Sequence, residues 1–74
     1  MNDEELFADL SRRLRDAHRR ITLLEASDDE KARVTRRLLA ITDASKRDLG
    51  RASTRLDAFL SDLDAGWRPD PRDP

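Results

Sequence analysis

Cysteine is absent from this 74-residue chain, which excludes disulfide bonds and thiolate metal sites. The only histidine is His18, so a histidine-based zinc site lacks a second imidazole from the same chain. A domain this short buries a modest share of its surface and usually needs a disulfide, a metal or oligomerisation for stability. Of these three, oligomerisation is the one that the composition leaves open.

The chain also has few aromatic residues, no large excess of one charge and no long apolar run. The net charge of −1 gives no overall field that would attract nucleic acid or a membrane surface. Because no apolar run could span a bilayer or form a signal-peptide core, we expect a cytoplasmic protein. Charged residues make up 42 % of the chain and hydrophobic residues 36 %, a balance found in charged helical proteins and in disordered chains. Periodicity separates the two classes, and here it favours helix.

Residues 2–26 carry the apolar repeat of a first helix. Its members alternate at spacings of three and four, as in a heptad seam: Phe7, Leu10, Leu14, Ala17, Ile21 and Leu24. Acidic residues fill the first turn (Asp3, Glu4 and Glu5), where the helix dipole stabilises negative charge. The pattern predicts helix one over about residues 2–26.

A second helix is predicted from about residue 28 to residue 65. Ser27 followed three residues later by Glu30 is a capping-box pattern, and the short link before it predicts an antiparallel hairpin. The apolar seam then includes Val34, Leu38, Ile41, Ser45, Leu49, Ala52, Leu56, Phe59 and Leu63. Gly66 is a typical residue to end the helix, and the proline-rich tail at residues 67–74 is not helical. We therefore expect one helical domain, residues 1–66, followed by that tail.

Gly50 leaves an alternative open. Lys46 and Arg47 precede it, and Thr54 followed by Asp57 could start a further helix, so the chain could break there into a three-helix bundle. Against a break, the seam keeps its phase from Leu49 onward. The favoured fold is all-α, an antiparallel, coiled-coil-like two-helix hairpin with a long second helix.

A continuous second helix would be about 57 Å long, against about 36 Å for the first. Its end would then expose large apolar residues without an intramolecular partner, namely Leu56, Phe59, Leu60, Leu63 and Trp67. Four leucines outside the two seams widen the apolar stripe: Leu6, Leu23, Leu39 and Leu60. These features predict a protein interface and a homodimer in the form of a four-helix bundle.

An arginine-rich face gives a second functional hypothesis. The outward residues are Arg12, Arg15 and Arg19 on helix one and Arg33 and Arg36 on helix two. Such a stripe could contact phosphates, although no aromatic residue is interleaved for base stacking and nearby aspartates can pair with the arginines.

No other pattern predicts chemistry. His18 has no evident nucleophile or orienting partner, and Asp28, Asp29 and Glu30 are more typical of a helix start than of a metal site. We expect no catalytic, cofactor or metal site. The sequence predicts a non-enzymatic protein–protein interaction module, such as a regulator, adaptor or assembly subunit, that binds itself and another protein. The alternatives are a small nucleic-acid-binding protein and a partly folded chain that orders on its target.

Overall fold

A computed structural model describes residues 2–68, and every regular element in this range is an α-helix. Helix α1 is Asp3–Thr22, α2 is Asp28–Ser45 and α3 is Leu49–Asp64. The three helices pack on one another as a bundle, so the predicted all-α class is confirmed. Of the predicted tail, residues 69–74 lie outside the described range.

Each helix begins at a polar side chain that accepts a hydrogen bond from the backbone N–H three residues further on. The pairs are Glu5 to Asn2 (2.9 Å), Glu30 to Ser27 (3.1 Å) and Arg51 to Asp48 (3.0 Å). The helix start predicted at Ser27 is therefore confirmed. The cap at Asp48 creates a third helix that the favoured prediction did not contain.

Helix α1 ends at Thr22, four residues before the predicted end. The carbonyl oxygen of Thr22 accepts a hydrogen bond from Nζ of Lys31 at 3.1 Å, although Lys31 belongs to α2. A carbonyl at a helix end needs such a partner once the intrahelical bonds stop. The helix end is thus stabilised by a tertiary contact that the local sequence does not reveal.

The continuous helix predicted over residues 28–65 is wrong. Helix α2 ends at Ser45 and α3 starts at Leu49, after a turn of three residues, 46–48. Gly50 lies within the first turn of α3, so the break precedes the glycine at which the alternative had placed it. The longest dimension of the molecule is 38 Å, too short for a straight helix of about 57 Å.

Folding α3 back gives its apolar side chains an intramolecular partner. Leu56 and Phe59 are fully buried and Leu63 is 5 % exposed. Burying such a side chain contributes about 1.5–3 kcal/mol. Because the Asp48 cap also satisfies one N–H freed by the break, the local cost is smaller than the gain from packing.

The core is formed by the two predicted seams. Its buried members are Leu10, Ala17, Ile21, Val34, Leu38, Ile41, Ala52, Leu56, Phe59 and Leu63. Six partly buried apolar residues pack against them: Leu14, Leu24, Ala44, Leu49, Leu60 and Trp67. No described polar or charged residue is buried, so hydrophobic packing alone defines this core.

Helices α1 and α3 run in the same direction. Arg13 pairs with Asp57 and Arg20 with Asp64, and the sequence separation is 44 in both pairs. A step of seven residues along α1 therefore matches seven residues along α3. This constant register fixes which residues of the two helices lie at the same level.

The end of α3 has the geometry predicted at Gly66. Gly66 has a φ of 88°, in the left-handed region that favours glycine. Its N–H donates to the carbonyl of Leu63 at 3.0 Å, and the N–H of Trp67 donates to that of Asp62 at 2.8 Å. These two bonds form a Schellman motif, which turns Trp67 back toward the core.

Candidate functional site

The completed core leaves a few large apolar side chains in solvent. Among the described residues these are Phe7, 57 % exposed, Leu23, 73 % exposed, and Leu39, 53 % exposed. Phe7 was predicted to belong to the seam of helix one, so its exposure is a correction. Phe7 is the aromatic residue among the three, and aromatic side chains are enriched at protein interfaces, which makes its surroundings the first candidate for a binding surface.

Phe7 borders an open cleft of about 570 Å³ between the start of α1 and the turn that joins α2 to α3. We call it the turn cleft. Its apolar lining comes from Leu6, Phe7 and Leu49, and its charged lining from Asp3, Lys46, Arg47 and Asp48. Helix α1 thus supplies most of the apolar surface, and the turn supplies most of the charge.

The register between α1 and α3 accounts for the cleft. Leu6 lies seven residues before Arg13, and the same separation of 44 places it level with Gly50. Gly50 has no side chain to fill the space, and a Cβ built on it would meet only Oδ1 of Asp48, at 3.6 Å. The cleft is therefore open beside the first turn of α3, where Gly50 lacks a side chain.

Charges of both signs surround the apolar part of the turn cleft. Asp3 belongs to the acidic first turn of α1, and Lys46 and Arg47 are consecutive and exposed. Arg47 pairs with Asp43 at 2.9 Å, whereas none of the described salt bridges includes Lys46. The cleft therefore offers a hydrophobic contact together with acidic and basic groups.

The residues predicted as an interface lie elsewhere. Leu56, Phe59 and Leu63 are buried in the core, and Leu60 and Trp67 are half-buried and pack against it. The reason for assigning them to an interface was a helix end without a partner inside the chain. Since the structure supplies that partner, this reason no longer holds.

Trp67 is held by an arginine that the sequence analysis did not single out. The guanidinium carbon of Arg37 lies 4.7 Å from the ring centroid of Trp67 and 5.4 Å from that of Phe59. The two rings meet edge to face at 6.5 Å, and Arg37 also pairs with Asp62 at 3.0 Å. Cation–π and aromatic contacts of this kind stabilise the packing of a chain end.

The predicted arginine face is divided in the structure. Arg12, Arg15 and Arg19 are exposed on α1, and Arg12 pairs with Asp9 at 2.6 Å. On α2, Arg36 is exposed, whereas Arg33 is half-buried one helical turn from Arg37, whose side chain contacts α3. Arg33 therefore lies on the α3 side of α2 and does not extend the row on α1.

The remaining candidates lie on α1 and at the start of α2. His18 is exposed on α1, and Asp28, Asp29 and Glu30 form the first turn of α2. No group of three or more possible metal ligands occurs among residues 2–68. No buried side-chain nitrogen or oxygen in this range lacks a hydrogen-bond partner.

Within the same range, no helix combines the length and the apolar character needed to cross a membrane. Comparison with family models, with curated proteins and with solved structures found no match to this chain.

Proposed function

We propose that this chain is a non-enzymatic protein–protein interaction module, a small helical regulator, adaptor or assembly subunit that binds its partner through the turn cleft. The observation that carries the proposal is an exposed phenylalanine beside an open cleft on a molecule whose core is already complete.

The distribution of the aromatic residues supports this proposal. The chain has two phenylalanines and one tryptophan. Phe59 and Trp67 pack in or against the core, whereas Phe7 remains 57 % exposed. Aromatic side chains are enriched among the residues that dominate binding energy at protein interfaces. Phe7 adds little to the core, so its apolar surface is available to a partner.

The cleft also has the layout of a small interface. A few apolar groups lie together, and charged side chains surround them, as in an apolar interface core with a polar rim. A volume of about 570 Å³ accommodates several side chains of a partner. Charges of both signs would determine the orientation of the bound partner more than they would raise the affinity.

A comparison of two variants tests the proposal. Phe7→Asp places a charge in the turn cleft, whereas Leu39→Asp makes the same kind of change at another exposed apolar site. The wild-type protein first retains its partner from a lysate of the producing cells. We expect this partner to bind Phe7→Asp with an affinity at least about 30-fold lower, and Leu39→Asp with the affinity of the wild type. Circular dichroism on both variants controls for loss of helix.

Two outcomes would overturn the proposal. Equal retention by Phe7→Asp and by the wild type would exclude the turn cleft as the binding surface. Loss of all retained material after nuclease treatment would favour the alternative, in which the arginines bind nucleic acid. That alternative predicts binding that weakens steeply with salt and depends on Arg12, Arg15 and Arg19.

A further inference from the structure

The turn between α2 and α3 changes the chain direction with little departure from helical geometry. Lys46 retains helical angles (φ −75°, ψ −16°), and the N–H of Asp48 still donates to the carbonyl of Ala44, as in an α-helix, at 2.9 Å. Asp48 is extended, with a φ of −152° and a ψ of 98°. Among the described residues only Gly66 has a positive φ, so no residue of the turn depends on glycine-like angles. Alignment of α3 with α2 therefore requires rotation at Asp48, whose angles depart from helical values.

The apolar pattern is compatible with both arrangements. Ile41, Ser45, Leu49, Ala52 and Leu56 follow one another at spacings of three or four residues through the turn. The same side of the chain therefore faces a core whether α3 folds back or continues from α2. Alignment of the two helices would expose Leu56, Phe59 and Leu63, unless a second molecule covered them.

We infer that a second copy of this chain supplies that cover by exchanging α3. In this domain-swapped dimer, α3 of each molecule packs on α1 and α2 of the other molecule. It takes the position that the other molecule's own α3 has in the monomer. Because α3 is antiparallel to α2 in the bundle, the two extended α2–α3 segments lie antiparallel across a two-fold axis. The ion pairs that hold α3 (Arg13 with Asp57, Arg20 with Asp64 and Arg37 with Asp62) form again between chains.

The turn cleft gives a second reason for a copy of the same chain as the partner. In the exchanged dimer the two-fold axis passes near the straightened segments 46–48, and the starts of both α1 helices lie beside it, which brings Leu6 and Phe7 of the two copies together. Such an interface joins a surface to itself, so charges of both signs on that surface can pair across the axis. The acidic first turn of α1 and the basic pair Lys46 and Arg47 supply charges of both signs. This step rests on the proposed function, because it names the partner of the turn cleft.

The exchange leaves most interactions unchanged, so a few differences set the equilibrium. The dimer loses the Asp48 cap of each chain, gains the contact between Leu6 and Phe7 of the two copies, and is opposed by the entropy of association. It should therefore form with rising concentration. It should also form slowly, because α3 must leave its own bundle first.

Variants of the turn test the inference by light scattering after size exclusion over a wide concentration range. Asp48→Ala removes a cap that is present only in the monomer, where α3 folds back. This should shift the equilibrium toward the extended form about fivefold per chain and raise the association constant of the dimer about 25-fold. Ser27→Ala removes an equivalent cap that both forms contain, so its dimerisation constant should match that of the wild type. Leu49→Pro should remain monomeric, because proline suits the first position of a helix but not its interior. Leu49→Ala, which also loses the leucine side chain, should still dimerise.

The chain lacks cysteine, so single thiols can report the exchange itself. Arg13→Cys and Asp57→Cys are refolded together and treated with a short thiol-specific crosslinker. The exchanged dimer brings position 13 of one chain beside position 57 of the other, and we expect crosslinked heterodimers whose yield rises in the Asp48→Ala background.

A monomer at every concentration for both the wild type and Asp48→Ala would overturn the inference. A dimer that persists in Leu49→Pro would also overturn it, because that dimer would form without exchange. Neither result bears on the binding of another protein at the turn cleft. Retention of such a partner by a wild type that stays monomeric, with its loss in Phe7→Asp, would leave the proposed function intact.

Discussion

Two phenylalanines occupy opposite environments in this molecule. Phe59 is fully buried and lies 6.5 Å from Trp67, whereas Phe7 is 57 % exposed at the turn cleft. Both fall on predicted apolar seams, so their spacing in the sequence does not separate them. Burial decides the role of each, since a core side chain stabilises the fold and an exposed one is available to a partner.

We expect Phe59→Ala to lower the free energy of unfolding by about 3–5 kcal/mol, because it leaves a cavity at a fully buried site. Phe7→Ala should change it by no more than about 0.5 kcal/mol. Urea unfolding followed by circular dichroism measures both values. A similar loss for the two variants would show that Phe7 packs in the folded protein.

The helix ends act at the scale of the element. Gly50 lies in the first turn of α3, where a Cβ would meet only Oδ1 of Asp48 at 3.6 Å. Gly66 ends the same helix with a φ of 88°. One glycine thus occupies a helical position that alanine would also accept, and the other has a backbone conformation that alanine adopts only with strain.

Alanine at these two glycines should therefore change stability in opposite directions. Gly50→Ala should raise the free energy of unfolding by about 0.4–1 kcal/mol, because it reduces the freedom of the unfolded chain without a clash. Gly66→Ala should lower it by about 1–2 kcal/mol. Thermal and urea unfolding of both variants would contradict this account if the two shifts had the same sign.

At the scale of the whole molecule, the three helices share one core. Helix α3 contributes Ala52, Leu56, Phe59 and Leu63, and it forms each of the interhelical ion pairs found in residues 2–68. These pairs are partly exposed and each contributes only about 0.2–1 kcal/mol. Helices α1 and α2 by themselves would expose most of their apolar faces, so the bundle should fold as a unit.

A split protein tests this cooperativity. A fragment of residues 1–47 should show low helicity and no cooperative thermal transition, because it lacks the apolar residues of α3. Addition of a peptide of residues 48–68 should restore helicity with a saturating dependence on its concentration. A peptide with Phe59→Ala serves as the control and should bind much more weakly. Cooperative unfolding of the fragment alone would show that the α1–α2 hairpin is an independent domain.

Local sequence signals were sufficient for several features of the fold. The helix start at Ser27 and the helix end at Gly66 depend on hydrogen bonds to residues within a few positions, and both were predicted. The cap at Asp48 depends on an equally local bond to Arg51, but the apolar seam that continues past it concealed this signal. The end of α1 at Thr22 could not be predicted in this way, because Lys31 of another helix stabilises it.

The candidate site was outside the reach of the sequence analysis. The turn cleft combines the start of α1 with residues some forty positions later. The register of α1 and α3 places Leu6 level with Gly50, which has no side chain to fill the space. No local pattern encodes such a register. The residues selected as an interface, from Leu56 to Trp67, were chosen for a helix end that the folded chain covers itself.

The sequence by itself determined that the chain is helical and which face of each segment is apolar, because both properties follow from spacing along one helix. Only the tertiary structure decided whether the seam from Val34 to Leu63 forms one helix or two. Local sequence preferences for one continuous helix and for two helices are nearly balanced there, since the same residues face a core in both forms. The burial of Leu56, Phe59 and Leu63 against α1 and α2 stabilises the molecule only after the chain has folded back. This burial therefore determines that the segment forms two helices.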